Sequence, residues 1–335
     1  MKSLTKSNLA KCVTVAAGLG LVVAGTGTAQ ADPTGAPLYR QLAGVGSDTT
    51  QGVMNAMADA ITGPTGEKLI GSYNATGSAT INTKAAAACQ NLNRPNGSGA
   101  GRTALLNELN KNNGCLDFSR SSSLNVTAST PGLTYVPFAV DAVTYAVGAG
   151  SVLPLDLSTA DLHALYTCDP GFVGTAPNWD IRPLLPQSGS GTRSYWLTVV
   201  GITEGDLSAN RYPCVTDTKG GKKIEEHDGR VLDSKTLVPF SIAQYLAQSA
   251  STIPDIRGAA QLGNINGVPS MLLNTGAAAT RDVYNVIPTS KVGVSPWSDV
   301  FVGKTSKICS RADLIKQYGF GTNDNCGDTS RNSGN

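Results

Sequence analysis

Three turns rich in glycine and hydroxyl residues recur along the chain, and each leads directly into a helical pattern. They lie within Leu42–Ile61, Asn96–Gly114 and Ile181–Ile202. In the first of these stretches a short apolar segment precedes the turn, and apolar residues then recur at the spacing of a helix. Strands that alternate with helices in this way predict an α/β fold with mixed, mostly parallel sheets.

The N-terminal residues 1–31 have the three parts of a secretory signal peptide. Lysines begin the segment, Val13–Gly25 is apolar but too short to span a bilayer, and Ala29–Ala31 has the small-x-small pattern of a cleavage site. We therefore expect the mature protein to begin near Asp32 and to be secreted or associated with the cell surface. Cys12 precedes the apolar segment, so it is not placed as the acceptor of a lipoprotein anchor.

The size and charge of the chain limit its fold and its partners. A chain of 335 residues is longer than one hydrophobic core usually serves, so we expect two lobes.

Its 26 Lys and Arg nearly balance its 24 Asp and Glu without basic runs, which argues against nucleic acid or an anionic membrane as a partner. No segment after the signal peptide is apolar over about 18 residues, so no membrane span is expected. We expect a monomer.

Six cysteines follow the N-terminal segment, and an even number in an exported chain is typical of disulfides. The simplest arrangement pairs neighbours in sequence, as Cys89–Cys115, Cys168–Cys214 and Cys309–Cys326. A zinc site is the alternative. It is the weaker one because the chain has no C-x-x-C spacing and only two histidines, His163 and His227. We expect neither a metal nor a cofactor.

The three turns share one kind of chemistry. Each presents hydroxyls and free backbone N–H groups at the start of a helix, where the helix dipole adds partial positive charge. Such a position binds an oxyanion, and loops at the carboxyl ends of strands in an open α/β sheet meet in one crevice. The alternative is that each turn only caps its helix. A nucleotide-binding P-loop is excluded because Gly97–Thr103 lacks its spacing and its lysine.

A serine hydrolase is a further alternative, and the sequence supports it less. The segment "SGSGT" at 188–192 does not match the G-x-S-x-G pattern of a nucleophile elbow. His163 lies on a short amphipathic helical segment, where a structural role is expected. His227, in "KKIEEHDGR", is expected to be a solvated loop residue. We therefore expect that the protein is not an enzyme.

Several segments together resemble one known family. "GVGSDTT", "NGSGAGRTALL", "LDFSRSSS", "YVPFAVDAVTYAV", "DLHALYT" and "PQSGSGTRSYW" occur in the order seen in phosphate-type substrate-binding proteins of ABC transporters. The resemblance covers most of the chain after residue 31. It implies the two-lobed type II periplasmic-binding-protein fold, with a hinge of two chain crossings and a ligand between the lobes. It also implies an ABC permease as a candidate partner.

The resemblance extends to boundaries and to site residues. Lobe 1 is expected to comprise residues 32–136 and 287–335, and lobe 2 residues 137–286. The family pattern implies nine ligand-binding residues, which are Ser47, Asp48, Thr49, Ser98, Ser121, Ser122, Ser190, Gly191 and Thr192.

The chain departs from the family at two charged positions. Ser122 stands where the family has an acidic residue that accepts the proton of hydrogen phosphate, and Pro186 stands where it has an arginine. Asp48 is a candidate for the missing proton acceptor. Arg120 and Arg193 are candidates for the missing positive charge, because an arginine fork suits phosphate. Asp141, near the hinge, is a further candidate for the site.

These observations predict a secreted solute-binding protein that captures a small oxyanion, with inorganic phosphate as the first candidate. Two alternatives remain at this point. The same scaffold could serve as a surface adhesion or cell-wall module without a role in phosphate transport, or the protein could be a secreted hydrolase.

Overall fold

The structure of the protein is a computed structural model. It describes residues 32–33, 37–125, 132–176, 178–270 and 279–331. The expected signal peptide, residues 1–31, lies outside these described residues.

Most of the strands are short, and two long ones organise the rest. The strands are β1 (Leu42–Gly46), β2 (Ile70–Ser72), β3 (Thr80–Ile81), β4 (Leu92–Asn93), β5 (Phe118–Ser121), β6 (Leu133–Val147), β7 (Asp156–Leu157), β8 (Gly174–Thr175), β9 (Asn178–Trp179), β10 (Arg182–Pro183), β11 (Thr218–Lys219), β12 (Lys222–Lys223), β13 (Thr236–Ser241), β14 (Gln261–Leu262), β15 (Asn264–Ile265), β16 (Thr280–Pro288) and β17 (Gly321–Thr322).

The helices alternate with these strands. They are α1 (Gln51–Ala60), α2 (Ser98–Lys111), α3 (Thr159–Tyr166), α4 (Pro170–Val173), α5 (Gly191–Val200), α6 (Glu204–Ser208), α7 (Ile242–Ser249), α8 (Trp297–Phe301) and α9 (Ala312–Gln317), with short 3-10 turns at Ala87–Cys89, Gly229–Val231 and Thr289–Lys291. Within the described part of the chain, no helix has the length and apolar character that crossing a membrane requires.

The central sheet has nine strands, and its main path runs in the order β10-β13-β6-β16-β5-β1-β2. Strands β1, β2 and β5 pair in parallel at one end, and β10 pairs in parallel with β13 at the other. Strands β6 and β16, the crossing strands, run antiparallel between these ends. The expected α/β class, with a mixed sheet and two chain crossings, is confirmed.

The sequence of the crossing strands explains their position. Strand β6 is rich in apolar and β-branched residues and is buried at nearly every position, as a strand covered on both faces must be. Pairing with β16 places Arg281 opposite Asp141, and the register shifts at a bulge between Val283 and Tyr284.

Hydrophobic side chains form two large groups of buried residues. One group includes Met54, Phe118 and Phe301, and the other includes Tyr166 and Trp196. The expected lobe boundaries, after residues 136 and 286, stay a prediction.

All three expected disulfides are confirmed. The paired Cα atoms lie 5.1 Å apart in Cys89–Cys115, 5.7 Å apart in Cys168–Cys214 and 5.9 Å apart in Cys309–Cys326. These separations fall in the usual range for disulfides.

Two parallel strands end beside each other and position the first loops of the site. Strand β1 ends at Gly46, whose φ of +114° favours glycine, and the adjacent β5 ends at Ser121. Helix α2 packs closely here, because a Cβ on Gly101 would overlap the Cα of Gly46. The turns after β1 and β5 and the start of α2 are therefore held together.

Candidate functional site

Five hydroxyl side chains converge where the turns meet, and we call them the hydroxyl cluster: Ser47, Thr49, Ser98, Ser122 and Thr192. All five residues are buried. The Oγ of Ser122 lies 3.2 Å from the Oγ of Ser47, 3.2 Å from Thr49 Oγ1 and 3.3 Å from the Oγ of Ser98. Thr192 Oγ1 completes the cluster, 3.2 Å from Thr49 Oγ1. The structure thus brings together hydroxyls from all the turns that the sequence singled out.

The start of helix α5 is built to approach this cluster closely. Ser190 is its N-cap, and its Oγ accepts a hydrogen bond from the backbone N–H of Arg193 at 2.9 Å. Gly191 follows, and a Cβ at this position would overlap the hydroxyls of Ser98 and Ser122. Glycine is therefore required here for close approach.

Hydrogen bonds join two sets of turns. One set follows β1 and precedes α2, and the other comprises the segments around residues 189, 225 and 244. The backbone N–H of Gly99 donates to the carbonyl of Gly189 at 2.9 Å. Asn96 Nδ2 donates to Glu225 Oε2 at 2.8 Å, and Gln244 Nε2 donates to the carbonyl of Thr49. These hydrogen bonds hold the two sets of turns together beside the hydroxyl cluster.

A carboxylate that the sequence analysis missed lies inside the cluster. Glu226 is 1% exposed, and its Oε2 accepts hydrogen bonds from Thr49 Oγ1 at 2.7 Å and from Thr192 Oγ1 at 3.2 Å. Burial acts to raise the pKa of Glu226, but the hydrogen bond and the charge of His227 outweigh it and lower the pKa to about 2. Glu226 is therefore a buried carboxylate in its charged form.

His227 lies beside this carboxylate, and the expectation that it is solvated is wrong. It is 3% exposed, and its Nε2 lies 3.1 Å from Glu226 Oε2 and 3.1 Å from Thr49 Oγ1. Its ring packs edge-on against Phe240, and Gln248 Nε2 donates to its carbonyl at 3.1 Å. Its φ of +60° is uncommon for a residue other than glycine and is often found at functional sites.

Asp48 lies in the turn after β1, close to the loop that carries Glu226 and His227. One donor atom from each of these three residues lies within 4.8 Å of the other two. Burial raises the pKa of the Asp48 carboxyl to about 6, although the charge of His227 acts in the opposite direction.

Arg281, which sequence reasoning also missed, contacts a side-chain hydroxyl of the cluster. Its Nη2 donates to Thr192 Oγ1 at 3.0 Å and to Asp141 Oδ2 at 2.9 Å. Asp141 is fully buried, and its Oδ1 accepts from Ser241 Oγ and from the backbone N–H of Ala243. This ion pair joins the two crossing strands to the start of α7.

The two arginines named from the sequence have other contacts. The guanidinium of Arg120 donates to four backbone carbonyls and to the Oγ of Ser72, so its five N–H groups are all used beside the first turn. Arg193 forms ion pairs with Glu204 at 2.8 Å and Asp217 at 3.0 Å. Ser121 also turns away from the cluster, because its Oγ donates to the carbonyl of Ser123 at 2.7 Å. A ligand-binding role for these three residues stays a prediction.

The comparisons with known proteins point to one fold. No protein-family model matches the chain, and no curated protein matches it by sequence. A structure described as a phosphate ABC transporter substrate-binding protein with bound phosphate, from Clostridium perfringens, is 14% identical with a TM-score of 0.54 and covers 84% of this chain and 99% of its own. An ABC-type phosphate transport receptor from Vibrio cholerae is 13% identical with a TM-score of 0.50 and covers 84% of this chain and 100% of its own. The chain therefore shares the fold of phosphate-type substrate-binding proteins of ABC transporters.

Proposed function

We propose that this protein is an exported binding protein that captures a small oxyanion, inorganic phosphate before others, at the hydroxyl cluster. The observation that carries the proposal is the convergence of Ser98, at the start of α2, and Thr192, at the start of α5, on the same buried point. Helix N-termini and hydroxyls are a common combination for binding phosphate groups. The fold shared with two proteins described as phosphate binders supports the choice of anion.

The positive charge for the anion comes from Arg281 in this proposal. Its Nη2 already contacts Thr192, and its Nη1 is buried without a hydrogen-bond partner among the described residues. A buried N–H group without a partner is costly, so an acceptor supplied by the ligand would satisfy it. Arg281 then takes the role that the sequence analysis gave to Arg120 or Arg193.

Asp48 supplies the proton acceptor in this proposal. A hydrogen phosphate carries a proton that a carboxylate can accept, whereas sulfate is fully ionised near neutral pH. The side-chain carboxylate of Asp48 accepts no hydrogen bond from the described residues, so its two oxygens are available to a ligand. Phosphate is therefore expected to bind more tightly than sulfate.

Entry of the anion requires the cleft to open. The contacts of Asn96 with Glu225 and of Gly99 with Gly189 close the way to the cluster. Opening would bend the crossing strands, and closure around the anion would exclude water and strengthen its hydrogen bonds.

Calorimetric titration of the chelator-treated protein with phosphate tests this proposal. Ser98→Ala and Thr192→Ala each remove a hydrogen bond to a charged ligand, which predicts an affinity about 10 to 100 times lower. Thr198→Ala is the matched control, because this exposed threonine on α5 donates only to the carbonyl of Tyr195. Absence of binding to phosphate, sulfate and related anions would overturn the proposal and would favour a surface or cell-wall module.

Export is the second part of the proposal. The three disulfides support it, because they persist in oxidising compartments outside the cytoplasm. N-terminal sequencing of the protein from culture supernatant or cell surface is expected to begin near Asp32. A protein that keeps its first 31 residues would contradict this part.

A further inference from the structure

Glu226 has an unusual environment for a buried carboxyl group. Its side chain is 0% exposed, and among the described residues its only ion-pair partner is His227, at 3.1 Å. Its Oε1 is buried and has no hydrogen-bond partner in the part of the chain that the structure describes. Buried carboxylates are normally paired with a cation or coordinate a metal, because an isolated buried charge is costly. Oxyanion binding does not satisfy this group, since an anion would add a second negative charge beside it.

The neighbouring groups add donors of the kind that bind metals. Asp48, Glu226 and His227 each contribute an atom to a group within 4.8 Å, and it is the one such group that the described residues contain. The hydroxyl of Thr49 contacts both Glu226 and His227. The nearby guanidinium groups do not neutralise the carboxylates by contact, because Arg120 binds backbone carbonyls and Arg281 is paired with Asp141.

The group is held firmly on one side of the cleft and loosely on the other. Gln248 and Phe240 fix His227, and Thr49 and Thr192 donate to Glu226. Asp48 is half-buried, and its carboxylate accepts no hydrogen bond from the described residues, so the carboxylate can move toward a shared ligand. Typical distances from zinc to oxygen and nitrogen are about 2.0–2.2 Å, so two ligand atoms of one ion lie at most about 4.4 Å apart. A small movement of the Asp48 carboxylate is enough to bring the three atoms, which lie within 4.8 Å of one another, inside that limit.

We propose that Asp48, Glu226 and His227 bind one divalent transition-metal ion of the zinc class across the cleft. Two carboxylates and one imidazole form a mixed oxygen and nitrogen set that suits Zn²⁺ better than Ca²⁺, which takes six to eight oxygens. The ion offsets the two carboxylates and satisfies the free Oε1 of Glu226. Through these three ligands, the ion also links the turn after β1 to the loop at 225–227. This inference goes beyond oxyanion binding and differs from the expectation, from the sequence, that there is no metal.

Zinc titration of the full chain without a polyhistidine tag tests the proposal. The protein is treated with EDTA, dialysed and titrated with Zn²⁺ in competition with a fluorescent zinc indicator. We expect one Zn²⁺ per chain and no binding of Ca²⁺ under the same conditions. His227→Gln and Glu226→Gln are each expected to weaken Zn²⁺ binding at least about tenfold.

Two control variants distinguish zinc binding at the proposed site from zinc binding to other histidines or carboxylates. His163→Gln removes the other histidine, whose Nδ1 contacts the carbonyl of Val200, and Asp228→Asn removes a neighbouring carboxylate that pairs with Arg230. Both are expected to bind Zn²⁺ within about twofold of the unaltered protein, and circular dichroism checks that each variant is folded. Absence of zinc binding by the unaltered protein, or equal binding by His227→Gln, would overturn the proposal.

Phosphate titration of the same EDTA-treated protein keeps the two proposals distinguishable. Phosphate binding without zinc binding leaves the oxyanion proposal standing and overturns the metal site. Zinc binding that His227→Gln abolishes supports the metal site even when phosphate does not bind.

Discussion

Thr49 Oγ1 donates a hydrogen bond to Glu226 Oε2 across 2.7 Å, and this contact places a carboxylate among the hydroxyls that the sequence assigns to an anion. The two residues are 177 positions apart and come from turns on opposite sides of the cleft. The same hydroxyl cannot donate to Glu226 and to a bound anion at once.

Replacement of Glu226 by glutamine is expected to strengthen phosphate binding by the metal-free protein. The change removes a buried negative charge next to the hydroxyl cluster and keeps an oxygen that can accept from Thr49. Loss of one repulsive charge at this depth predicts an affinity at least about tenfold higher. Calorimetry on EDTA-treated protein measures the effect. Weaker phosphate binding by Glu226→Gln would mean that this carboxylate, and not only Asp48, accepts a proton from the ligand.

Arg281→Lys is expected to weaken phosphate binding about tenfold, because lysine keeps the charge but lacks the planar fork. It also loses one of the two hydrogen bonds with Asp141, so the free energy of unfolding should fall by about 1–3 kcal/mol. Arg193→Lys is the matched comparison, since this arginine pairs with Glu204 and Asp217 outside the cluster. Phosphate titrations that show a loss for Arg193→Lys and none for Arg281→Lys would reverse the assignment of the positive charge.

Gly191→Ala is expected to disrupt the cluster by steric overlap. The added methyl group would meet the hydroxyls of Ser98 and Ser122, so the two sides of the cleft could not close fully. We expect weaker phosphate binding and a loss of stability of about 1–3 kcal/mol, as for other overpacked sites. Thermal unfolding and calorimetry measure both effects. Gly205→Ala on α6 serves as the control, since its nearest neighbour is Thr203 Oγ1 at 3.5 Å, and a similar loss in that variant would contradict the steric account.

Removal of one disulfide at a time is expected to lower the free energy of unfolding by an amount that depends on which disulfide is removed. The Cys168–Cys214 bridge spans 46 residues and the Cys309–Cys326 bridge spans 17. In the chain-entropy model the longer loop contributes more, by about 1 kcal/mol. Urea unfolding of the two paired Cys→Ala variants measures the difference, and a larger loss for Cys309–Cys326 would contradict the loop-length account.

The sequence was sufficient to predict the disulfide pairing and the turns whose hydroxyls meet in the hydroxyl cluster. Ser98 and Thr192 stand at helix starts, where glycine and hydroxyl residues leave a local pattern that can be recognised without the fold. Pairing of neighbouring cysteines was also the simplest arrangement, and it is the one observed.

The charged residues of the site could not be predicted in the same way. Arg281 and Asp141 are 140 positions apart, and they meet only through the register of the antiparallel strands β16 and β6. His227 is surrounded in sequence by lysines and carboxylates, which indicates solvent exposure, yet Phe240 and the turn at Thr49 bury it. Both outcomes depend on tertiary contacts that local patterns do not contain.

A crystal structure of the phosphate complex would locate the anion. We expect phosphate within hydrogen-bond distance of Ser98 Oγ, Thr192 Oγ1 and the Nη1 of Arg281, enclosed by the turns of the hydroxyl cluster. Crystals grown at saturating phosphate that hold the anion elsewhere, or hold none while Glu226 still accepts from Thr49, would contradict it.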